Sequence, residues 1–256
     1  MARIFITGST EGLGRAAALA LLDSGHEVVL HARNTTRAAS LGNLADRASG
    51  VVIGDLASAE ETHEIARQVN MIGRMNAVIH NAGIYVDARR VGTAENHART
   101  LAVNVLAPYV LTAEIERPSR LIYVSSGMHR GGDESLRDID WTSRSWDGVQ
   151  AYSDSKLFVA AFAFAISRRW PDVPTNVVDP GWVPTRMGGP GAPDDLELGH
   201  TTQVWLAVSD EADAAGTGAY WYHQRRRVPA SAVSDVRFQT ALIEQLSRLT
   251  GVRLPL

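Results

Sequence analysis

Short apolar runs separated by helix-forming stretches recur along this chain, and that alternation constrains its fold more than any other feature. Ile4-Phe5-Ile6, Val28-Val29-Leu30, Val51-Val52-Ile53, Ala77-Val78-Ile79, Leu121-Ile122-Tyr123-Val124 and Thr175 to Val178 have the length and branching of buried strands. Helical stretches lie between them: Ala16 to Leu22, closed by Ser24-Gly25, then Glu60 to Val69, then Thr93 to Ile115. Ala219-Tyr220-Trp221-Tyr222 reads as a weaker further strand. The pattern predicts an α/β fold: one Rossmann-type, doubly wound parallel sheet of about seven strands with helices on both faces. The 256 residues suit a single domain spanning 1–256, without linker or repeat.

Composition narrows the function classes. The chain has no cysteine, which excludes disulfides, a thiol nucleophile and thiolate metal sites. A net charge of −3 argues against nucleic acid as a partner. No apolar run reaches the roughly 20 residues that cross a bilayer, and the start lacks the pattern of a signal peptide. A cytoplasmic protein without a membrane span is expected. The histidines and acids show no metal-site spacing, so no metal is expected. Two irregular segments, 127–150 and 184–198, follow strand ends and are candidate substrate loops. Arg225-Arg226-Arg227 reads as a solvated loop.

Three clusters carry chemistry. Gly8, Gly12 and Gly14 stand between the first strand and first helix, where missing Cβ atoms let backbone approach a pyrophosphate. After the second strand, Leu30-His31-Ala32-Arg33-Asn34 holds an arginine and no acid, with Arg37 one turn later. An acid there would bind a ribose 2′-hydroxyl, whereas an arginine accepts a 2′-phosphate, so NADP is preferred over NAD. Third, Tyr152 and Lys156 are spaced by one helical turn, which puts phenol and ammonium on one face. A nearby cation lowers a phenol pKa, which would make Tyr152 a general acid/base. Lys156 is also the sole lysine among 25 basic residues.

The glycine and tyrosine–lysine clusters and five further motifs, in order along the whole chain, resemble the classical short-chain dehydrogenase/reductase family. The motifs are Thr7-Gly-x-x-x-Gly-x-Gly14, Asp55-Leu56, Asn81-Ala82-Gly83, Asn104, Ser125-Ser126, Tyr152-x-x-x-Lys156 and Pro180-Gly181-Trp182-Val183-x-Thr185. The long gap between Ser126 and Tyr152, Arg33 and His129 look loosely like the NADP-preferring retinol dehydrogenase subset. By resemblance, Asn104, Ser126, Tyr152 and Lys156 are the catalytic residues. Ser126 would bind the substrate oxygen, Lys156 would grip the nicotinamide ribose, and Asn104 would hold a water in the proton path. By the same resemblance Ser126 is preferred to Ser125, since the second serine of the pair is usually the catalytic one, and alternation along a strand lets only one of the two face the site. The cofactor positions implied are Gly8, Ser9, Thr10, Gly12, Leu13, Gly14, Arg33, Asp55 and Leu56. They continue with Asn81, Ala82, Gly83, Tyr152, Lys156, Pro180, Gly181, Val183 and Thr185. Among these, Asp55 would meet the adenine, Asn81 would brace the sheet and Thr185 would hold the carboxamide. His80 and Asp179 depart from the residues commoner in the family.

The implied function is NADP(H)-dependent hydride transfer between an alcohol and a carbonyl on a small hydrophobic molecule. Tyr85, Trp141, Trp182 and Met187 are candidate substrate contacts, with Trp146 nearby. A non-catalytic NADP(H)-binding sensor or scaffold on the same fold is the alternative. Leu157 to Ile166 is apolar on nearly every face, which predicts a partner helix and hence a homodimer or homotetramer.

Overall fold

The computed structural model describes residues 1–85 and 87–255. Its sheet contains β1 (Arg3–Ile6), β2 (Glu27–Ala32), β3 (Gly50–Ile53), β4 (Ala77–His80), β5 (Arg120–Val124), β6 (Thr175–Asp179), β7 (Ala219–Tyr222) and β8 (Arg225–Arg227). Their order is β3-β2-β1-β4-β5-β6-β7-β8, parallel except for the last pair. The eighth strand corrects two expectations, the strand count and the solvated loop at 225–227. Tyr222 pairs with Arg225 across a tight turn in which His223 and Gln224 take φ of 47° and 57°. That mirror-image turn matches the twist of a hairpin, so the arginines become an edge strand. Their exposed charges discourage pairing with other chains.

The helices are α1 (Gly12–Asp23), α2 (Thr35–Ala39), α3 (Asn43–Arg47), α4 (Ala59–Ile72), α5 (Arg99–Leu101), α6 (Ala107–Glu114), α7 (Gly148–Arg169), α8 (Leu196–Val208), α9 (Ser231–Ser234) and α10 (Val236–Thr250). A wide π-type turn, Ala102–Leu106, joins α5 to α6. The helix expected from Thr93 starts only at Arg99. Ahead of it, Gly92 bridges Ala98 around a turn in which Asn96 has φ of 65°.

Alternation along the strands divides the core. Phe5, Val29, Val78, Tyr123 and Val177 face α4, α6 and α7, whereas Ile4, Ile6, Leu30, Ile79 and Val178 face α1 and α8. Leu157, Phe158, Phe162 and Ile166 of α7 are buried within the chain itself. Helix α10 supplies Phe238, Leu242 and Leu246 against them, with the Phe158 and Phe238 rings 6.2 Å apart. The apolar faces from which an oligomer was expected are therefore covered by the chain's own helices. No helix among the described residues is long and apolar enough to cross a membrane.

The strand order reverses direction between β1 and β4, the point where ligands bind in doubly wound sheets. Every motif described above stands at, or turns towards, the carboxyl ends of these strands.

Candidate active site

The glycine turn is wired into the sheet. Asn81, just beyond β4, donates from Nδ2 to the carbonyls of Thr7 at 2.9 Å and Gly8 at 3.3 Å. The Ala82 N–H donates to Thr7 Oγ1 at 2.9 Å. Gly8 and Gly12 have φ of 65° and 55°, which side-chain-bearing residues rarely adopt. A Cβ on Gly14 would run into the Gly8 carbonyl and the Asn81 amide. Three glycines and one asparagine thus hold backbone open at the start of α1.

His31 is a part of this turn that motif reading overlooked. Its Nδ1 accepts the Gly8 N–H at 2.9 Å, and its Nε2 lies 2.9 Å from the Gly54 carbonyl, so Nε2 carries the proton. Burial pushes its pKa down, keeping the ring neutral and able to accept. The signal available in sequence was its register: His31 lies two residues before Arg33, on the same side of the extended chain. Ser9 needs the opposite correction. It is fully buried, and its hydroxyl donates to Ile6 O at 3.0 Å and accepts from His31 N–H at 2.8 Å. It ties β1 to β2 behind the turn and does not line the groove.

A groove of about 470 Å³ runs from this turn across the sheet. Of the expected cofactor positions, Gly8, Thr10, Gly12, Leu13, Gly14, Arg33, Asp55, Leu56 and Asn81 line it, as do Ala82, Gly83, Tyr152, Lys156, Pro180 and Thr185. At the β2 end stand Arg33 and Arg37. Arg37 donates to Thr10 Oγ1 at 3.1 Å and pairs with Glu11 at 2.7 Å, so its guanidinium is held at the rim. Asp55 caps its own loop by accepting the Ala57 N–H at 2.9 Å. Gly181 and Val183 line the neighbouring cavity instead.

At the other end lie the four expected catalytic side chains. Asn104 sits in the wide turn and is buried. It accepts the Ile84 N–H at 2.9 Å and donates to Ile84 O at 3.1 Å and Ser155 Oγ at 3.0 Å. It braces the loop after β4 and lines neither space. Lys156 is buried, with Nζ donating to Val124 O at 2.9 Å. A Cβ on Gly83 would come within 3.3 Å of that ammonium and 3.4 Å of Asn104 Oδ1, so these groups share one small compartment. Burial pushes the Lys156 pKa down to about 8, partly opposed by the Asp179 carboxylate.

The serine pair divides as strand alternation predicts. Ser125 turns inward and donates to the Lys156 carbonyl at 2.9 Å. Ser126 lies beside the Tyr152 phenol, whose pKa it lowers, and accepts the Met128 N–H at 3.2 Å, beginning a short 3₁₀ turn, Gly127–Gly131. Burial pushes the Tyr152 pKa up to about 12, opposed by Ser126 and assisted by Tyr85 and Asp179. The expected depression by Lys156 is therefore corrected. Nζ lies 5.6 Å from the ring centre and spends a hydrogen bond on Val124, and desolvation dominates.

Beside Ser126 and Tyr152 opens a second cavity of about 620 Å³, lined by Tyr85, Met128, Trp182 and Met187 among others. Trp182 is 59% exposed, with its indole N–H held by Gly188 O at 2.8 Å. Trp141 does not reach this cavity. It is buried under the Arg144 guanidinium, 3.5 Å from its ring centre, and packs edge-on against Trp146. Arg144 in turn pairs with buried Asp154 of α7 at 2.8 Å, so this part of the 127–150 segment is an anchor.

The sequence model described as short chain dehydrogenase matches residues 2–129. Short-chain dehydrogenase chry4 of Gibberella zeae is 39% identical over 100% of this chain and 99% of its own length. The chain belongs to the short-chain dehydrogenase family. It is an oxidoreductase by that membership. Among solved structures, an uncharacterized protein from Mycobacterium paratuberculosis superposes with a TM-score of 0.85 at 24% identity, over 100% of this dehydrogenase and 96% of that chain. A blue fluorescent protein from a metagenomic library, solved in complex with NADPH, gives 0.68 at 21% identity, over 86% and 95%. Both share its fold.

Proposed function

We propose that this dehydrogenase interconverts an alcohol and a carbonyl by hydride transfer with NADP(H), on a substrate with a hydrophobic body. The observation that carries this reading is one of placement. Leu13, Ser125, Tyr152, Pro180, Thr185 and Met187 line both the glycine groove and the second cavity, so the two meet at the Tyr152 phenol.

The groove fits a dinucleotide. Left-handed Gly8 and Gly12, with no Cβ at Gly14, leave backbone N–H groups at the start of α1 open to a pyrophosphate. Arg33 and Arg37 line the β2 end of the groove and would meet a 2′-phosphate there, and the end of β2 carries no carboxylate to repel it. Thr185 and Lys156 would hold the nicotinamide end. When bound, NADPH supplies the hydride that reaches the carbonyl carbon.

The remaining steps belong to this chain's side chains. With a pKa near 12, Tyr152 keeps its proton at neutral pH, as the reductive direction requires. It donates that proton to the carbonyl oxygen as the carbon receives the hydride. Ser126 donates a hydrogen bond to the same oxygen and stabilises its developing charge. Lys156 supplies a fixed positive charge behind the ring, and Asn104 holds the loop that closes this compartment.

The test is NADPH and NADH oxidation followed separately over a panel of aryl and alicyclic ketones. Reduction of at least one ketone, faster with NADPH, is expected. Tight NADPH binding without turnover across the panel would favour a sensor or scaffold.

A further inference from the structure

Asp179 ends β6 inside the second cavity, and the catalytic scheme above does not use it. Its carboxylate is held in place. Oδ1 accepts the Gly181 N–H at 3.0 Å, and the carboxylate lies close enough to the Tyr220 hydroxyl to help push its pKa up. Behind Tyr220 lies buried His129. The Ala230 N–H donates to its Nε2 at 3.0 Å, which assigns the ring proton to Nδ1. Nδ1 lies 2.8 Å from Ser126 O and 3.1 Å from the Tyr220 hydroxyl oxygen. Buried contacts through His129 thus tie the Tyr220 hydroxyl, beside Asp179, to the backbone of Ser126. On its other side, a Cβ on Gly127 would lie 3.2 Å from Oδ2, so the carboxylate packs tightly against the backbone next to Ser126.

The charged side chains that line the cavity are acidic, with the Lys156 ammonium set behind the Tyr152 ring. Asp179 and Asp194 both line it, whereas no lysine, arginine or histidine is found among its described lining residues. Asp194 spends one oxygen on the Trp182 N–H at 2.6 Å. An ionised carboxylate has about four acceptor positions. The Gly181 N–H, even with the Tyr220 hydroxyl nearby, leaves Asp179 with capacity to spare beside Ser126 and Tyr152.

Resting on the carbonyl-reductase reading, we propose that Asp179 sets substrate choice: the cavity takes carbonyl compounds that carry a hydroxyl hydrogen-bond donor close to the reacting carbon, and it rejects carboxylates. A donor on the substrate completes the Asp179 oxygens, whereas an anion meets like charge in a partly desolvated space.

Three ketones of one shape test this: acetophenone, 2-hydroxy-1-phenylethanone and phenylglyoxylate, with kcat/KM measured for NADPH-dependent reduction. Each value is divided by that for acetophenone in the same protein, which cancels any common effect on the chemistry. Wild type is expected to favour the hydroxyketone by about ten- to a hundredfold over acetophenone, the size of a hydrogen bond to a charged group. It is expected to disfavour phenylglyoxylate despite that ketone's greater electrophilicity. In Asp179→Asn, the hydroxyketone ratio should fall and the phenylglyoxylate ratio should rise, each by about tenfold. Unchanged ratios in this variant, or the same changes in Asp194→Asn instead, overturn the proposal. Should Asp179→Asn not fold, wild-type preference for phenylglyoxylate over the hydroxyketone overturns it unaided. Failure to reduce any of the three overturns this proposal and counts against the reading beneath it. Reduction of acetophenone with unaltered ratios overturns this proposal alone.

Discussion

The Lys156 ammonium lies 5.6 Å from the centre of the Tyr152 ring and is anchored at 2.9 Å on the carbonyl of Val124. The cation is thus positioned by β5, while its spacing from the phenol is set by one turn of α7. Gly83 and Asn104 crowd the same compartment. A compact ammonium with three donors fits there; a planar guanidinium with five does not. Lys156→Arg is therefore expected to lower kcat by about 10²-fold or more although charge is conserved, within the 10²–10⁴ span of general acid catalysis. Steady-state kinetics with circular dichroism as the folding control check this.

Cofactor choice is expected to follow the β2 end of the groove. Arg33→Ala and Arg37→Ala should each lower the NADPH-over-NADH ratio of kcat/KM, and the double variant by at least about tenfold, since each contact to a phosphate is a charge-assisted hydrogen bond. NADH values should change little. Equal losses with both cofactors would mean that these arginines only support the fold.

Acid stability should depend on His80. Its ring stacks on Tyr123 at 4.6 Å, Nε2 meets Thr112 Oγ1 at 3.2 Å, and Nδ1 is buried without a hydrogen-bond partner. Burial pushes its pKa from 6.5 down to about 3. Unfolded chains take up a proton near pH 6.5, whereas the folded chain resists until about pH 3. The unfolded state therefore binds more protons in that window, and stability falls as pH drops through it, by about 1.4 kcal/mol per unit. His80→Asn should reduce the Tm loss between pH 6.5 and 5 by about 4–6 °C for a domain of this size. Scanning calorimetry at the two pH values tests it.

What was legible in the sequence depended on local spacing. Strand alternation separated Ser126 from Ser125, and one helical turn aligned Tyr152 with Lys156. The glycines, Arg33 and Asn81 were readable for the same reason, because chain order alone puts them at neighbouring strand ends. Residues whose surroundings come from distant segments were not. His31 acts through Gly8 and Gly54, and Asp179 through Tyr220 and Gly127, contacts that no single motif contains. Trp141 was read towards the substrate because its loop is aromatic, yet Arg144 and Asp154 pull it into an anchor. The helix α7 looked as though it needed a partner; the partner is α10, about eighty residues further along the same chain.

In the proposed mechanism, a hydride from the nicotinamide and a proton from Tyr152 arrive on the two ends of one carbonyl. Reduction of a ketone found in the panel, using NADPH deuterated at the transferable C4 position, tests it by mass spectrometry of the alcohol. Wild type should place one deuterium on the carbinol carbon. Tyr152→Phe should bind NADPH with near wild-type affinity and form labelled alcohol about 10²–10⁴-fold more slowly. Unlabelled alcohol from the wild type, or labelled alcohol at wild-type rate from Tyr152→Phe, would contradict it.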